Sequence, residues 1–310
     1  MALAEIAAID AMGGAVKAIE TGALKAKLVE SNTRRLEAIE RGEQVVVGVN
    51  AFTTFEPSPL TAGENSIMVP SGKAEAEQVA RLEAWRAERD EARVREALRA
   101  LRVAAASGAN IMPASIEAAK AGATTGEWGD ALRAEFGEFR APTGVSPRAR
   151  QAAAGLDALR GEVERVSLKL GRRVKFLLGK PGLDGHSNGA EQIAARATDA
   201  GMDVVYDGIR LTPADIVERA KSGVHCVGLS ILSGSHIVLT EEVLKLMREA
   251  GLERVPVIVG GIIPPVDAER LRAAGVAAVY TPKDFEINAM LGAIVSEIET
   301  RFDQGAGERA

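Results

Sequence analysis

Residues 174–189 read Val-Lys-Phe-Leu-Leu-Gly-Lys-Pro-Gly-Leu-Asp-Gly-His-Ser-Asn-Gly, and they lead into a stretch carrying Ile193, Ala194 and Ala197 at helical spacing. The order is buried strand, glycine-rich loop, amphipathic helix, the layout of a ligand loop at the carboxyl end of a parallel strand. Four more apolar runs follow, at 204–206, 224–232, 257–259 and 277–280. Between them, helices open with recognisable signals: Thr212-Pro213, Thr240-Glu241-Glu242 and Pro265-Val266-Asp267. Five strands alternating with helices predict an α/β domain with a doubly wound parallel sheet.

The loop after the first strand carries K-x-x-x-D-x-H-x-x-G, formed by Lys180, Asp184, His186 and Gly189. An aspartate two residues before a histidine can hydrogen-bond one ring nitrogen and leave the other free for a metal. Lys180 could hold that aspartate ionised through charge pairing. Two later strand ends add to the pattern: Ser230-Ile231-Leu232, and Gly260-Gly261 running into Ile262-Ile263-Pro264-Pro265. A polar turn with a surface histidine is the plainer reading of the first motif taken alone.

Upstream, residues 1–42 are helical in pattern, with Met12-Gly13-Gly14 interrupting a first helix and a second running over 24–39. Val45, Val46, Val47 and Val49 then make a short apolar run of the kind found in a strand buried on both faces. Residues 56–73 are a Pro/Gly/Ser-rich connection holding Pro57, Pro59, Gly63, Pro70 and Gly72. A long helix is predicted over 75–106, with Glu91 and Arg95 as an i,i+4 pair. A shorter helix follows over 111–121, and Thr124-x-x-Glu127 is a capping box for another that ends at Gly137. A loose hinge surrounds Pro142 and Pro147. Trp85 and Trp128 read as packing residues.

Over nearly all of its 310 residues the chain resembles the adenosylcobalamin-dependent acyl-CoA mutases, the methylmalonyl-CoA mutase family. The motif at 180–189, Ser230-x-Leu232 and Gly260-Gly261 carry the resemblance, with Met12-Gly13-Gly14 and residues 42–50. The wording of 50–59, Asn-Ala-Phe-Thr-Thr-Phe-Glu-Pro-Ser-Pro, is closer to ethylmalonyl-CoA mutases than to methylmalonyl-CoA mutases. The resemblance implies a flavodoxin-like sheet of strand order 2-1-3-4-5. It implies four parts: 1–55 as the C-terminal end of a TIM-type substrate barrel, 56–170 as a helical linker, 171–303 as the cobalamin-binding domain, and 304–310 as a disordered tail. For 1–55 the alternative is an independent α/β cap.

The same resemblance makes His186 the lower axial ligand to cobalt. It makes Lys180, Gly182, Asp184, Gly185, Gly189, Ser230, Leu232, His236, Gly260, Gly261, Tyr280 and Thr281 candidates for binding the cofactor. For His236, a surface histidine at a helix start is the competing reading. Tyr206 and Asp207 are weaker candidates, and His225 reads as structural. Adenosylcobalamin is the implied cofactor and a radical carbon-skeleton rearrangement of an acyl-CoA the implied reaction, with no catalytic residue assigned to this chain. Acyl-CoA would be met only through the rest of a barrel. The expected partners are a second copy of the chain or a separate barrel-bearing mutase chain, with an exposed apolar patch at 45–49, and a cobalamin-loading GTPase chaperone.

Two other classes compete. A corrinoid carrier for methyl transfer would also place a helical layer before an Asp-x-His-x-x-Gly domain, but residues 45–50 have no place there, and Ser187-Asn188 stands where carriers are more apolar. A receiver-type regulatory module needs a phosphorylatable aspartate ending its third strand, where this chain has Ser230-Ile231-Leu232. A net charge of −5 gives no basic footprint for nucleic acid. No run of about 18 apolar residues spans a membrane. The single cysteine, Cys226, excludes an internal disulfide. A cytoplasmic protein is expected.

Overall fold

The structure, a computed structural model, describes residues 2–53, 72–145, 155–284 and 286–307. Most of the Pro/Gly/Ser-rich connection and Pro147 lie outside the described residues. The chain divides into two compact units, residues 1–54 with 141–310, and residues 55–140.

The first unit begins with three helices, α1 (Ala2–Ala11), α2 (Ala15–Glu20) and α3 (Ala23–Glu40). The break between α1 and α2 falls at Met12-Gly13-Gly14, as the sequence predicts. The strand predicted over 45–49 does not form. Instead the segment turns back on the end of α3, with a lone bridge between Val47 and Ala51. Asn50 organises the turn: its amide donates to the carbonyls of Ile39 (2.9 Å) and Gln44 (2.8 Å), and its Oδ1 accepts from Val46 N–H (2.8 Å). A strand needs a neighbour to pair its backbone groups. Among the described residues no strand lies alongside, and Asn50 makes local bonds to Val46 N–H and to the carbonyls of Ile39 and Gln44 instead. Val45 and Val47 stay 58% and 74% exposed, which is the apolar patch the sequence predicts.

The second unit holds four helices, α4 (Gly72–Glu88), α5 (Glu91–Ala106), α6 (Met112–Ala121) and α7 (Thr125–Phe136). The single helix predicted over 75–106 is two. Asp90 is an extended N-cap whose carboxylate accepts from Ala92 N–H and Arg93 N–H at 3.0 and 3.1 Å, so α5 starts afresh there. Glu91 pairs back to Arg89 (2.9 Å) rather than forward to Arg95. The capping box of Thr124 and Glu127 forms as predicted. Its glutamate also takes a two-pronged bond from Arg89, at 2.6 and 2.8 Å, which pulls the Glu127 carboxyl down to about 2. Trp85 and Trp128 donate to Gly122 O and Ser115 Oγ, both at 3.0 Å, consistent with structural roles.

The first unit resumes with α8 (Leu156–Leu170), followed by β1 (Lys175–Gly179), α9 (Asn188–Asp199), β2 (Asp203–Val205) and α10 (Pro213–Ala220). Then come β3 (Cys226–Ile231), α11 (His236–Glu249), β4 (Val257–Gly261), α12 (Pro265–Ala273), β5 (Ala278–Tyr280) and α13 (Ile287–Gly307). The strands form one parallel sheet in the order β2-β1-β3-β4-β5. Side-chain alternation sends Phe176, Leu178, Cys226 and Ile258 to one face, beneath α8, α9 and α13. Leu177, Val227, Leu229 and Val259 go to the other, beneath α10, α11 and α12. Both faces are dry, which explains why the strands read as continuous apolar runs. Helix α8 lies within the stretch read as linker, yet it buries Leu156, Leu159, Val163 and Val166 on the sheet. Helix α13 runs past Asp303 to Gly307, and residues 308–310 lie outside the described residues.

Strand order reverses between β1 and β3. Connections leave that point to opposite sides of the sheet, which opens a crevice at the strands' carboxyl ends. The loop 180–187 sits there.

Candidate cobalamin site

Lys180 follows the last residue of β1 and points inward. It is fully buried, and its ammonium donates to Ser230 O (3.0 Å), Ser230 Oγ (3.3 Å) and Asp184 Oδ2 (3.3 Å). Burial pulls its proton affinity down, and the charge of Asp184 pushes back. Asp184 is buried too. Its Oδ2 also accepts from Leu232 N–H (2.8 Å), and its Oδ1 accepts from His186 N–H (2.9 Å) and from His186 Nδ1 (2.7 Å). Burial alone would raise this carboxyl. The N–H donors of His186 and Leu232, the imidazole and the Lys180 charge outweigh it and hold the group far below the usual carboxylate range.

An ionised carboxylate can only accept, so Nδ1 of His186 carries the proton in the neutral ring and Nε2 presents a lone pair. The His186 side chain is 78% exposed. The site therefore offers one oriented imidazole nitrogen to the outside, held by a buried ion pair. Among the described residues no cluster of three or more histidines, cysteines or carboxylates could hold a metal ion. A single protein ligand suits a metal that arrives already chelated by a macrocycle.

The loop backbone is fixed from below. Gly182 N–H donates to Leu211 O and Leu211 N–H to Lys180 O, both at 3.0 Å. Gly182 has φ +80°, and a Cβ there would lie 2.8 Å from Leu239 Cδ1, so this position requires glycine. At Gly185 and Gly189 a Cβ would meet nothing within 4 Å. These two leave open space beside the exposed imidazole, space that a large planar ligand can use.

Behind the loop a slot of about 400 Å³ runs between the sheet and its helices. Its floor is Phe176, Leu178 and Ile258, and its sides are Ile193 of α9 with Met290 and Ile294 of α13. Ser230, Leu232, Gly260, Gly261, Tyr280 and Thr281 line its upper part, where the sequence places them. Because Ser230 Oγ accepts from Lys180, its own proton is free to be donated into the slot. A Cβ on Gly260 would find Leu229 O only at 4.0 Å, so a side chain there would project into free volume. Gly261 has a different reason: a Cβ would stand 1.9 Å from Ile231 O, so the two strands' backbones exclude one.

Other predicted residues lie elsewhere or, like Thr281, spend their polar groups locally. His236 is neither a slot residue nor a surface one: it is buried at the start of α11, with Nε2 2.9 Å from Asp267 Oδ2. Lys180 acts through Asp184 and Ser230 and has no face on the slot. Thr281 uses its N–H and hydroxyl on Asp284 (2.7 and 3.1 Å). Tyr206 is buried outside the slot, and Asp207 pairs with Arg219. His225 is structural, as read: Nδ1 accepts from Lys175 N–H at 2.8 Å, and burial pulls the ring down to about 4. Sequence reasoning missed Asn32, Arg35 and Leu36 of α3, which also line the slot. Their 3–4 spacing marks one helix face, but nothing in the sequence says what that face covers.

Residues 1–138 match the family model for methylmalonyl-CoA mutase, and residues 174–285 match that for the B12 binding domain. Over 296 residues the chain is 62% identical to an ethylmalonyl-CoA mutase of Cereibacter sphaeroides, covering 95% of this chain and 45% of that protein. It is 54% identical over 308 residues to an ethylmalonyl-CoA mutase of Methylorubrum extorquens, covering 99% and 45%. A methylmalonyl-CoA mutase of Escherichia coli is 37% identical over 291 residues, covering 91% and 40%. The chain thus spans under half the length of the curated relatives it matches. It carries one segment, 1–138, that matches the methylmalonyl-CoA mutase model and a second, 174–285, that matches the B12 binding domain and holds the loop presenting His186.

Proposed function

We propose that the chain is the cobalamin-binding part of an acyl-CoA mutase of the ethylmalonyl-CoA type, with His186 as the axial ligand to cobalt. The observation that carries this is the Asp184–His186 bond of 2.7 Å, which leaves Nε2 as an outward lone pair beside the slot. Bound there, adenosylcobalamin supplies a weak cobalt–carbon bond whose homolysis starts a radical rearrangement of the carbon skeleton. The residues of this chain do the holding. Asp184 fixes the imidazole tautomer and orientation, Lys180 keeps Asp184 ionised, Gly185 and Gly189 leave room for the ring, and Ser230 donates into the slot that receives the nucleotide tail.

Ethylmalonyl-CoA is the favoured substrate, supported by the 62% and 54% identities set against 37% for a methylmalonyl-CoA mutase. The acyl-CoA would be bound by the rest of a mutase barrel. The exposed Val45 and Val47 offer that barrel an apolar docking edge, and a second copy of this chain is the other candidate for it. Among the described residues no helix is long and apolar enough to cross a membrane, and the single cysteine is free, in keeping with a cytoplasmic enzyme.

Absorbance titration with adenosylcobalamin, with and without a barrel-bearing mutase chain, tests this reading. Binding by this chain alone, and rearrangement of ethylmalonyl-CoA only when the barrel chain is added, is expected. Failure to bind, or methyl transfer from bound methylcobalamin to a thiol, would refute it.

A further inference from the structure

Helix α3 belongs to the stretch that matches the mutase model, yet it packs against α9, the helix that leaves the His186 loop. The seam is polar and buried. Lys25 reaches Glu191 at 2.8 Å and Ser187 Oγ at 2.9 Å, and Thr33 donates to Gln192 Oε1 at 2.8 Å. Farther along, Arg196 lies 3.4 Å from Glu40. Glu191, Gln192 and Arg196 are almost entirely buried, so α3 is seated rather than loosely apposed. Its adjoining edge therefore brings Asn32, the exposed Arg35 and Leu36 to the slot.

One of those groups is Arg35. It is the only guanidinium among the described residues lining the slot, whose floor and sides are largely apolar. Among the described residues no hydrogen bond or ion pair engages it, whereas Arg34 beside it lies 3.5 Å from Glu30. The acid on the slot's rim, Asp284, is already occupied by Thr281. An unpaired cation beside an apolar slot calls for a ligand with an apolar end and an anionic group. A nucleotide tail has both: a planar base for the apolar depth and a phosphodiester near the mouth. Guanidinium and phosphate match in a two-pronged geometry that an ammonium cannot copy.

We propose that Arg35 binds the phosphodiester of the cobalamin nucleotide tail, so that α3 of the mutase segment completes the cofactor site and selects tailed over tailless corrinoids. This rests on the cobalamin reading above, and the test separates the two. Adenosylcobalamin and adenosylcobinamide, which lacks the nucleotide, are titrated against wild type, Arg35→Gln and Arg35→Lys, with thermal melts to confirm folding.

Wild type should bind adenosylcobalamin more tightly than adenosylcobinamide. Arg35→Gln should lose about tenfold or more for adenosylcobalamin, the scale of a charged hydrogen bond, and nothing for adenosylcobinamide. Arg35→Lys should recover part of that loss. Equal losses for both ligands, or no loss for either, would overturn the role of Arg35 while leaving the cobalamin reading intact. Wild type that binds neither ligand would overturn both.

Discussion

Replacing Asp184 with alanine should damage the protein more than replacing its ion-pair partner. With Asp184 gone, the Lys180 ammonium stays fully buried and keeps only the carbonyl and hydroxyl of Ser230. Removing one partner of a buried pair costs about 3–5 kcal/mol. Deprotonation sets a ceiling of similar size: neutralising a lysine of ordinary value 10.5 at pH 7 costs about 5 kcal/mol. In the variant, Lys180 is held below its unfolded-state value, so the unfolded chain binds more protons. The penalty should therefore shrink as pH rises from 7 towards 9. Lys180→Met is milder, because Asp184 retains three N–H donors at 2.7, 2.8 and 2.9 Å. Its expected cost is about 1–2 kcal/mol. The double variant leaves no unpaired buried charge, so it should be no worse than Asp184→Ala, a coupling of about 1 kcal/mol or more. Urea melts of all four proteins at pH 7 and pH 9 measure this. Equal costs for the two single variants, strict additivity in the double, or an Asp184→Ala penalty unchanged at pH 9 would refute the buried-ammonium account.

His186→Ala should change stability by no more than about 0.5 kcal/mol, since the ring is exposed. It should also abolish the imidazole-nitrogen splitting in the electron paramagnetic resonance spectrum of bound cob(II)alamin, and splitting retained in the variant would name another ligand. Gly260→Val should cost little stability and remove most cobalamin affinity, because its side chain enters the slot. Gly261→Ala should instead lower stability by about 1–3 kcal/mol through its clash with Ile231 O, so a melt and a titration on each variant must give opposite patterns. His225 is held neutral by burial, with its folded value about 4 against about 6.5 unfolded. The unfolded chain therefore takes up the proton first, and stability should fall by at most about 3 kcal/mol as pH drops through that window. His225→Asn should flatten this part of the pH–stability curve, and an unchanged curve would assign the loss to other groups.

Much of the site could be read from the chain because its parts are local. Strand, loop and helix at 174–199 are contiguous, the Asp184–His186 bond spans two residues, and strands buried on both faces announce themselves as apolar runs. The failures share one cause, a partner distant in sequence. The valines at 45–49 have a strand's composition, but composition cannot say whether another strand lies alongside, and Asn50 supplied the bonds instead. His236 carries the same residue type as a ligand, yet it is buried at the start of α11 and its partner is the half-buried Asp267 of α12, 31 positions away.

Helix α9 gives the sharpest case. Glu191, Gln192 and Arg196 have the look of a helix's wet face, and all three are buried because α3, some 160 residues earlier, lies over them. Covering that face costs α9 its hydration, and each polar group recovers a bond from α3 or, for Arg196, also from Asn288 at 2.7 Å. Such a seam holds only where both helices keep their register, so it ties the mutase-matching segment to the helix that begins two residues after His186. The position of the His186 imidazole thus depends on a helix outside the segment that matches the B12 binding domain, 174–285. A variant that breaks the seam, such as Lys25→Met, should alter cobalamin affinity through Ser187 and Glu191 without touching His186 or Asp184.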